Sequence, residues 1–187
     1  MRYNRLYKDN NFLTPTTYTQ TLSEYTETLR YEDIPADVVE RAKMIMLQTV
    51  GAALAAKGTP IAEKACRMSE EANGGEGGAT SVWGTGKKMA AVNAALALGT
   101  MSDALDWEDC SWTGHPAAGV IPCAWLAAEE KHKSGKDLIT AIVAGYEVYQ
   151  RIACAVQPSD ERWKTKGWGL TSWQIFGCII HVAKLYG

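Results

Sequence analysis

Phenylalanine is nearly absent from this chain: two Phe stand against seven Trp and eight Tyr in 187 residues. Most of its buried rings therefore carry an N–H or O–H that needs a partner. No run of eighteen apolar residues exists, so no membrane-spanning helix is expected. Residues 1–18 hold no apolar stretch of the secretory type, so no leader is expected there. The five cysteines (Cys66, Cys110, Cys123, Cys154, Cys178) are scattered, odd in number and contain no CxxC pair. Free thiols in a reducing, cytoplasmic compartment are the expectation. The net charge of -2 lacks the basic excess that would draw the chain to nucleic acid or an anionic membrane. No nicotinamide, flavin or pyridoxal motif is visible, and the glycine run at 74–78 lacks the Lys-Ser/Thr end of a phosphate loop. No cofactor and no metal are assigned.

What is present reads as helix almost throughout. One domain, 1–187, is expected, with 1–17 as a loosely ordered N-terminal arm. Tyr18, Leu22, Tyr25 and Leu29 share one face of a first helix. Pro35 opens a second, with Val39, Ala42, Met46 and Val50 buried. A third helix is expected over 61–71, ended by the glycines after Asn73. Residues 80–83 suit a short extended piece. A helix over 87–105 would turn Met89, Val92, Leu96 and Gly99 inward, and Pro122 would open the next. Ser134 and Asp137 form a capping box for a long helix through Leu138, Ile142, Tyr146, Tyr149 and Ala153. A polar loop over 157–167 and a helix over 171–186 complete an all-α chain.

The chemistry concentrates in residues 99–122. Asp103, Asp106, Glu108 and Asp109 crowd the end of an apolar helix, and His115-Pro116 follows. Acids and a histidine are costly to place beside apolar segments, which points to a functional group. Histidine moves protons near neutral pH, and a neighbouring carboxylate fixes its tautomer. The plainer readings are a solvated helix end and a core histidine. Metal binding by Asp103, Asp106 and Asp109 with His115 ranks lower, because no loop motif accompanies it.

Several segments appear in an order that resembles the MmgE/PrpD family, from about Leu29 onward. They are Ile34-Pro35, Thr49-Val50-Gly51, Ala-Leu-Asp-Trp-Glu-Asp at 104–109, His115-Pro116, and Gly145-Tyr146-Glu147 with Arg151. The family includes 2-methylcitrate dehydratase, cis-aconitate decarboxylase and some epimerases. The resemblance implies the N-terminal part of its helical domain, without the α/β lid domain. It also implies Asp106 and His115 as active-site residues. Gln48 stands where an aspartate is common, and Gly169 stands where a second active-site histidine is usual. The later lysine and tyrosine of the family lie beyond this chain.

Four tryptophans, Trp107, Trp112, Trp168 and Trp173, fall in or beside the implied site. With Lys166, Gly169 and Thr171, the indoles of Trp112 and Trp168 are expected to hold a small molecule more hydrophobic than citrate-like acids. The expectation is a cofactor-free lyase or isomerase working by elimination, decarboxylation, epimerisation or cyclising rearrangement. The alternative is a non-catalytic or half-enzyme subunit whose partner chain supplies the missing groups. A homodimer, or a complex with a second family-related chain, is expected in either case.

Overall fold

Local capping chemistry sets where the helices begin. The computed structural model describes residues 17–75, 77–111, 114–156, 169 and 172–187. Among them are seven α-helices: α1 Tyr18–Thr28, α2 Ala36–Ala56, α3 Pro60–Asn73, α4 Ala91–Asp103, α5 Ala117–Glu130, α6 Gly135–Val156 and α7 Gln174–Tyr186. Thr17 accepts from Gln20 N–H, and the Gln20 amide returns the bond, closing a capping box on α1. Thr59 caps α3 with Pro60 at its first position, and Gly74 ends it in the left-handed region. The Ser134–Asp137 box expected from sequence opens α6: Asp137 N–H donates to the Ser134 hydroxyl at 3.2 Å, and Ser134 N–H to the Asp137 carboxylate at 2.9 Å.

Two expectations fail, each for a local reason. Residues 87–90 are not helical. Lys87–Met89 forms strand β2, antiparallel to β1 Thr80–Val82, and the Thr80 hydroxyl donates to the Met89 carbonyl at 2.8 Å. Helix α4 therefore starts at Ala91, and its buried face is Ala94, Ala97, Leu98 and Met101. Val92 and Leu96 point outward, 75% and 43% exposed. Met89 is buried as expected, but from the strand. Pro122 does not open a helix either; it lies inside α5, which begins five residues earlier. A proline there forfeits one backbone bond, a cost that burial of nearly the whole helix offsets.

Helix α5 is the centre of the molecule and touches α2, α4, α6 and α7. Its alanines 117, 118, 124, 127 and 128 are buried, and side chains this small let neighbouring helices approach closely. The Glu129 carboxylate, near the end of α5, accepts from Ser81 N–H at 3.0 Å and from the Ser81 hydroxyl at 2.7 Å. That grip, with Trp125 edge-on to Trp83 at 5.5 Å, ties the hairpin to the helical core. Helix α6 buries Leu138, Ile142, Tyr149 and Ala153 along the expected stripe. No helix is long and apolar enough to cross a membrane.

Candidate active site

The loop between α4 and α5 carries the acidic segment, and four hydrogen bonds fix it. Gln48 on α2 donates its amide to the Trp107 carbonyl at 2.8 Å. Asp109 accepts from Ala117 N–H at 2.9 Å through one oxygen and from the Tyr146 hydroxyl at 3.1 Å through the other. Asp109 therefore caps α5 from eight residues upstream, a favourable place for a negative charge. Gln174 on α7 donates to the His115 carbonyl. Helices α2, α5, α6 and α7 thus all hold the loop that presents His115.

These anchors bring His115, Glu108 and Asp106 together. His115 Nδ1 lies 3.0 Å from Glu108 Oε1 and 3.8 Å from Asp106 Oδ1. The Glu108 side chain is 1% exposed, whereas that of Asp106 is 85% exposed. The nearer and more deeply buried partner is thus Glu108. Asp106 has φ 54, a left-handed conformation that a short acidic side chain tolerates. The Nδ1–Oε1 approach lacks hydrogen-bond alignment. Both Glu108 oxygens and His115 Nδ1 are buried without a hydrogen-bond partner among the described residues.

The electrostatics follow from burial. Desolvation pushes the Glu108 pKa up, its own backbone N–H works against that, the charge and the carboxyl of Asp103 add to the rise, and the charge of His115 opposes it. Desolvation also raises Asp109, against the Ala117 and Tyr146 hydrogen bonds that favour its ionised form. Removing one of those bonds is a direct test. Tyr146→Phe is expected to cost about 1–2 kcal/mol in urea unfolding at neutral pH, because it leaves a half-satisfied buried carboxylate. Unchanged stability would show that Asp109 does not depend on Tyr146.

Other expected site residues are distributed differently. Trp112, Lys166, Trp168 and Thr171 lie outside the described residues. Gly169 sits in a turn, where its N–H donates to the Ser172 hydroxyl at 2.8 Å. Trp173 is in the core, 1% exposed, its indole N–H donating to the Tyr149 hydroxyl at 3.2 Å. Trp107 is 61% exposed. Trp173 is thus committed to the core, and Trp107 faces solvent from the position between Asp106 and Glu108. His181, on α7, is buried against Gly145 of α6 and lies beside the Cys123 thiol. A cleft of about 400 Å³, lined by Arg30, Tyr31, Lys136 and Lys184 among others, shares no residue with the His115 cluster. Sequence reasoning named Glu108 and Asp109 within the acidic group but gave them no separate roles, and it missed Gln174. The eight-residue reach from Asp109 to Ala117 is the signal that a capping search beyond the usual three residues would have found.

Comparison with known proteins identifies the family of the chain. The family model of the MmgE/PrpD N-terminal domain matches residues 20–187. Over 159 residues the chain is 29% identical to the cis-aconitate decarboxylase-like protein oryM of Aspergillus oryzae, covering 80% of this chain and 32% of that protein. It is 32% identical over 151 residues to a cis-aconitate decarboxylase of Aspergillus terreus, covering 76% of this chain and 30% of that enzyme. The chain thus spans about a third of the length of these relatives. Its match to the N-terminal domain runs through the hairpin, the His115 loop and α7, and the chain belongs to the MmgE/PrpD family.

Proposed function

We propose that this chain supplies the acid–base part of a lyase or isomerase site, with His115 as the proton-transferring group. The contact between His115 Nδ1 and Glu108 Oε1 at 3.0 Å supports this reading above all. A carboxylate this close to Nδ1, once a small ring rotation aligns the two, keeps the ring proton there and leaves the lone pair of Nε2 free to take a proton. Asp106, exposed at the rim, adds a second negative charge that stabilises the imidazolium once formed. Loss of CO2 from an unsaturated tricarboxylate leaves an electron pair at carbon, which takes up one proton. Elimination of water and epimerisation run through the same kind of proton transfer.

The substrate class best supported is a small carboxylic acid, by analogy with the relatives' names. The acids beside His115, Glu108 at 3.0 Å and Asp106 at 3.8 Å, repel such an anion, so cations must offset them, and Lys166 is the candidate. The indoles give weaker support to a hydrophobic substrate, because Trp173 is occupied in the core and Trp107 faces solvent. The test is release of CO2 from cis-aconitate by the purified protein, read alongside solvent-deuterium incorporation into the acid. Either signal above an inactive control supports the reading. Absence of both, with the protein folded, overturns catalysis by this chain alone.

A second reading has its own observation. Met44, Leu47 and Leu54 lie exposed on α2, and Val92 and Leu96 lie exposed on α4, two helices that pack together. Apolar exposure of this kind fits a half-enzyme whose second polypeptide, or second copy, covers it. Native mass distinguishes the cases: a stable monomer at micromolar concentration would remove the second reading.

One consequence of the first reading concerns stability. Glu108 is buried without aligned partners, and its pKa is raised, so the folded state binds its proton more tightly than the unfolded chain does. The favourable contribution of the protonated carboxyl is complete below the unfolded pKa and is lost as pH rises through the folded one. Glu108→Gln is therefore expected to stabilise the fold at neutral pH by about 1 kcal/mol, while slowing turnover by misplacing the ring proton of His115. Thermal melts at pH 5 and pH 8 check the sign: the gain should be larger at pH 8.

A further inference from the structure

The most unusual feature of the His115 cluster is a set of buried donor atoms that no aligned hydrogen bond satisfies. Both carboxylate oxygens of Glu108 and Nδ1 of His115 are buried and lack hydrogen-bond partners among the described residues. Buried polar groups left this way in a native fold call for an explanation, and an ion is one of the few available. These atoms also converge: single donor atoms from Asp106, Glu108 and His115 all lie within 4.8 Å of one another.

We infer that Asp106, Glu108 and His115 form a binding site for a divalent transition-metal ion of the zinc class, which switches off the acid–base group. Zinc bonds of about 2.0–2.1 Å to nitrogen and oxygen set tetrahedral donors about 3.3 Å apart. The separations found here, 3.0 Å from Nδ1 to Glu108 and 3.8 Å from Nδ1 to Asp106, bracket that value. The third pair, Asp106 to Glu108, lies within 4.8 Å, so closing the site calls for side-chain shifts of about an ångström. The donor set selects the metal class. Imidazole nitrogen favours zinc, copper or nickel, whereas magnesium and calcium prefer sites built from oxygen alone. Two carboxylates cancel the charge of the ion, and the exposed Asp106 leaves a face open to a water ligand.

The effect on chemistry follows from proton positions. In the acid–base reading the ring proton sits on Nδ1 and the lone pair on Nε2. A metal at Nδ1 takes that lone-pair position, so the ring proton must reside on Nε2. The imidazole then has no free lone pair, and proton abstraction stops. The binding claim stands on geometry alone, and the inhibition claim rests on the proposed role of His115.

The experiment separates the two. Isothermal titration of the purified protein with Zn2+ is expected to show one site per chain. Co2+ should give the intense visible absorption of tetrahedral coordination, whatever the activity. Removing an outer partner of a metal ligand typically costs roughly 10–100-fold in affinity, so Glu108→Gln and His115→Ala should each lose at least that much. Circular dichroism confirms that both variants are folded. Asp106→Asn, at an exposed position, provides a third variant with little risk to folding and should also weaken Co2+ binding. Zn2+ affinity unchanged in all three variants, or Co2+ remaining six-coordinate, overturns the site. If metal binds as expected while turnover is unaffected, the site stands and the inhibition claim falls with the proposed role of His115.

Discussion

His115→Ala is expected to reduce turnover of a carboxylic acid substrate by about 10²–10⁴-fold, the usual contribution of a positioned general acid or base. The size follows from the absence of a substitute nearby. Among the described residues the other histidines are His132 and His181. His132 lies beyond the far end of α5, and His181 is enclosed between α6 and α7. Glu108 and Asp106 lie beside His115 on its Nδ1 side, and neither is an imidazole that could take over its proton transfer. The loss should fall on kcat, with KM little changed, because the ring transfers protons and the charge that holds an anion lies elsewhere. Partial rescue by added imidazole, which fits the space left by the missing ring, would distinguish lost chemistry from lost structure. A variant that keeps more than about half of the wild-type rate would remove His115 from the mechanism.

Gly145→Ala carries the largest expected stability effect. A methyl group built at Gly145 on α6 would lie 2.6 Å from His181 Nδ1 and 3.1 Å from the Gly177 carbonyl on α7. Alanine is the better helix former by about 1 kcal/mol, which alone would favour the substitution. The clash opposes it, and overpacking of this kind costs about 3 kcal/mol. The imidazole is fully buried, and the carbonyl belongs to the backbone, so neither can swing aside. A net loss of about 2 kcal/mol is expected, which for a chain of this size lowers Tm by roughly 4–8 °C. The double variant Gly145→Ala, His181→Ala should be more stable than the sum of the two single changes. Strict additivity would mean that α6 and α7 separate freely and that the glycine is not needed for their approach.

The sequence made some of this legible and hid the rest for physical reasons. The stripe of α6 was readable because polar residues interrupt it at helical spacing. The phase of α4 was not, because apolar residues and alanine cover nearly all of that helix and any face of it resembles a core. The hairpin was half visible: 80–83 looked extended, but Lys87-Lys88-Met89 has no alternation to mark its partner strand. Within the candidate site, the clustering of acids near His115 was plain. Which acid lies closest was not, because it depends on a left-handed turn at Asp106, where an ordinary L-residue gives no warning. Gln174 escaped notice because 59 residues separate it from the carbonyl that it holds.

The two ends of the described chain are joined by a single side chain. Lys184 in α7 donates its ammonium to the Thr26 carbonyl in α1 at 2.5 Å, across 158 residues of sequence. Helix α1 otherwise packs on α6 and α7, all of which are made later. On the ribosome, at roughly 5–20 residues per second, the first helix therefore waits about 5–20 s after its own synthesis before α6 begins to emerge. During that interval it has no surface to dock on. It is the first helix to be made, yet the two helices it packs on come last, and a nascent chain stalled before residue 135 would present it to chaperones or proteases.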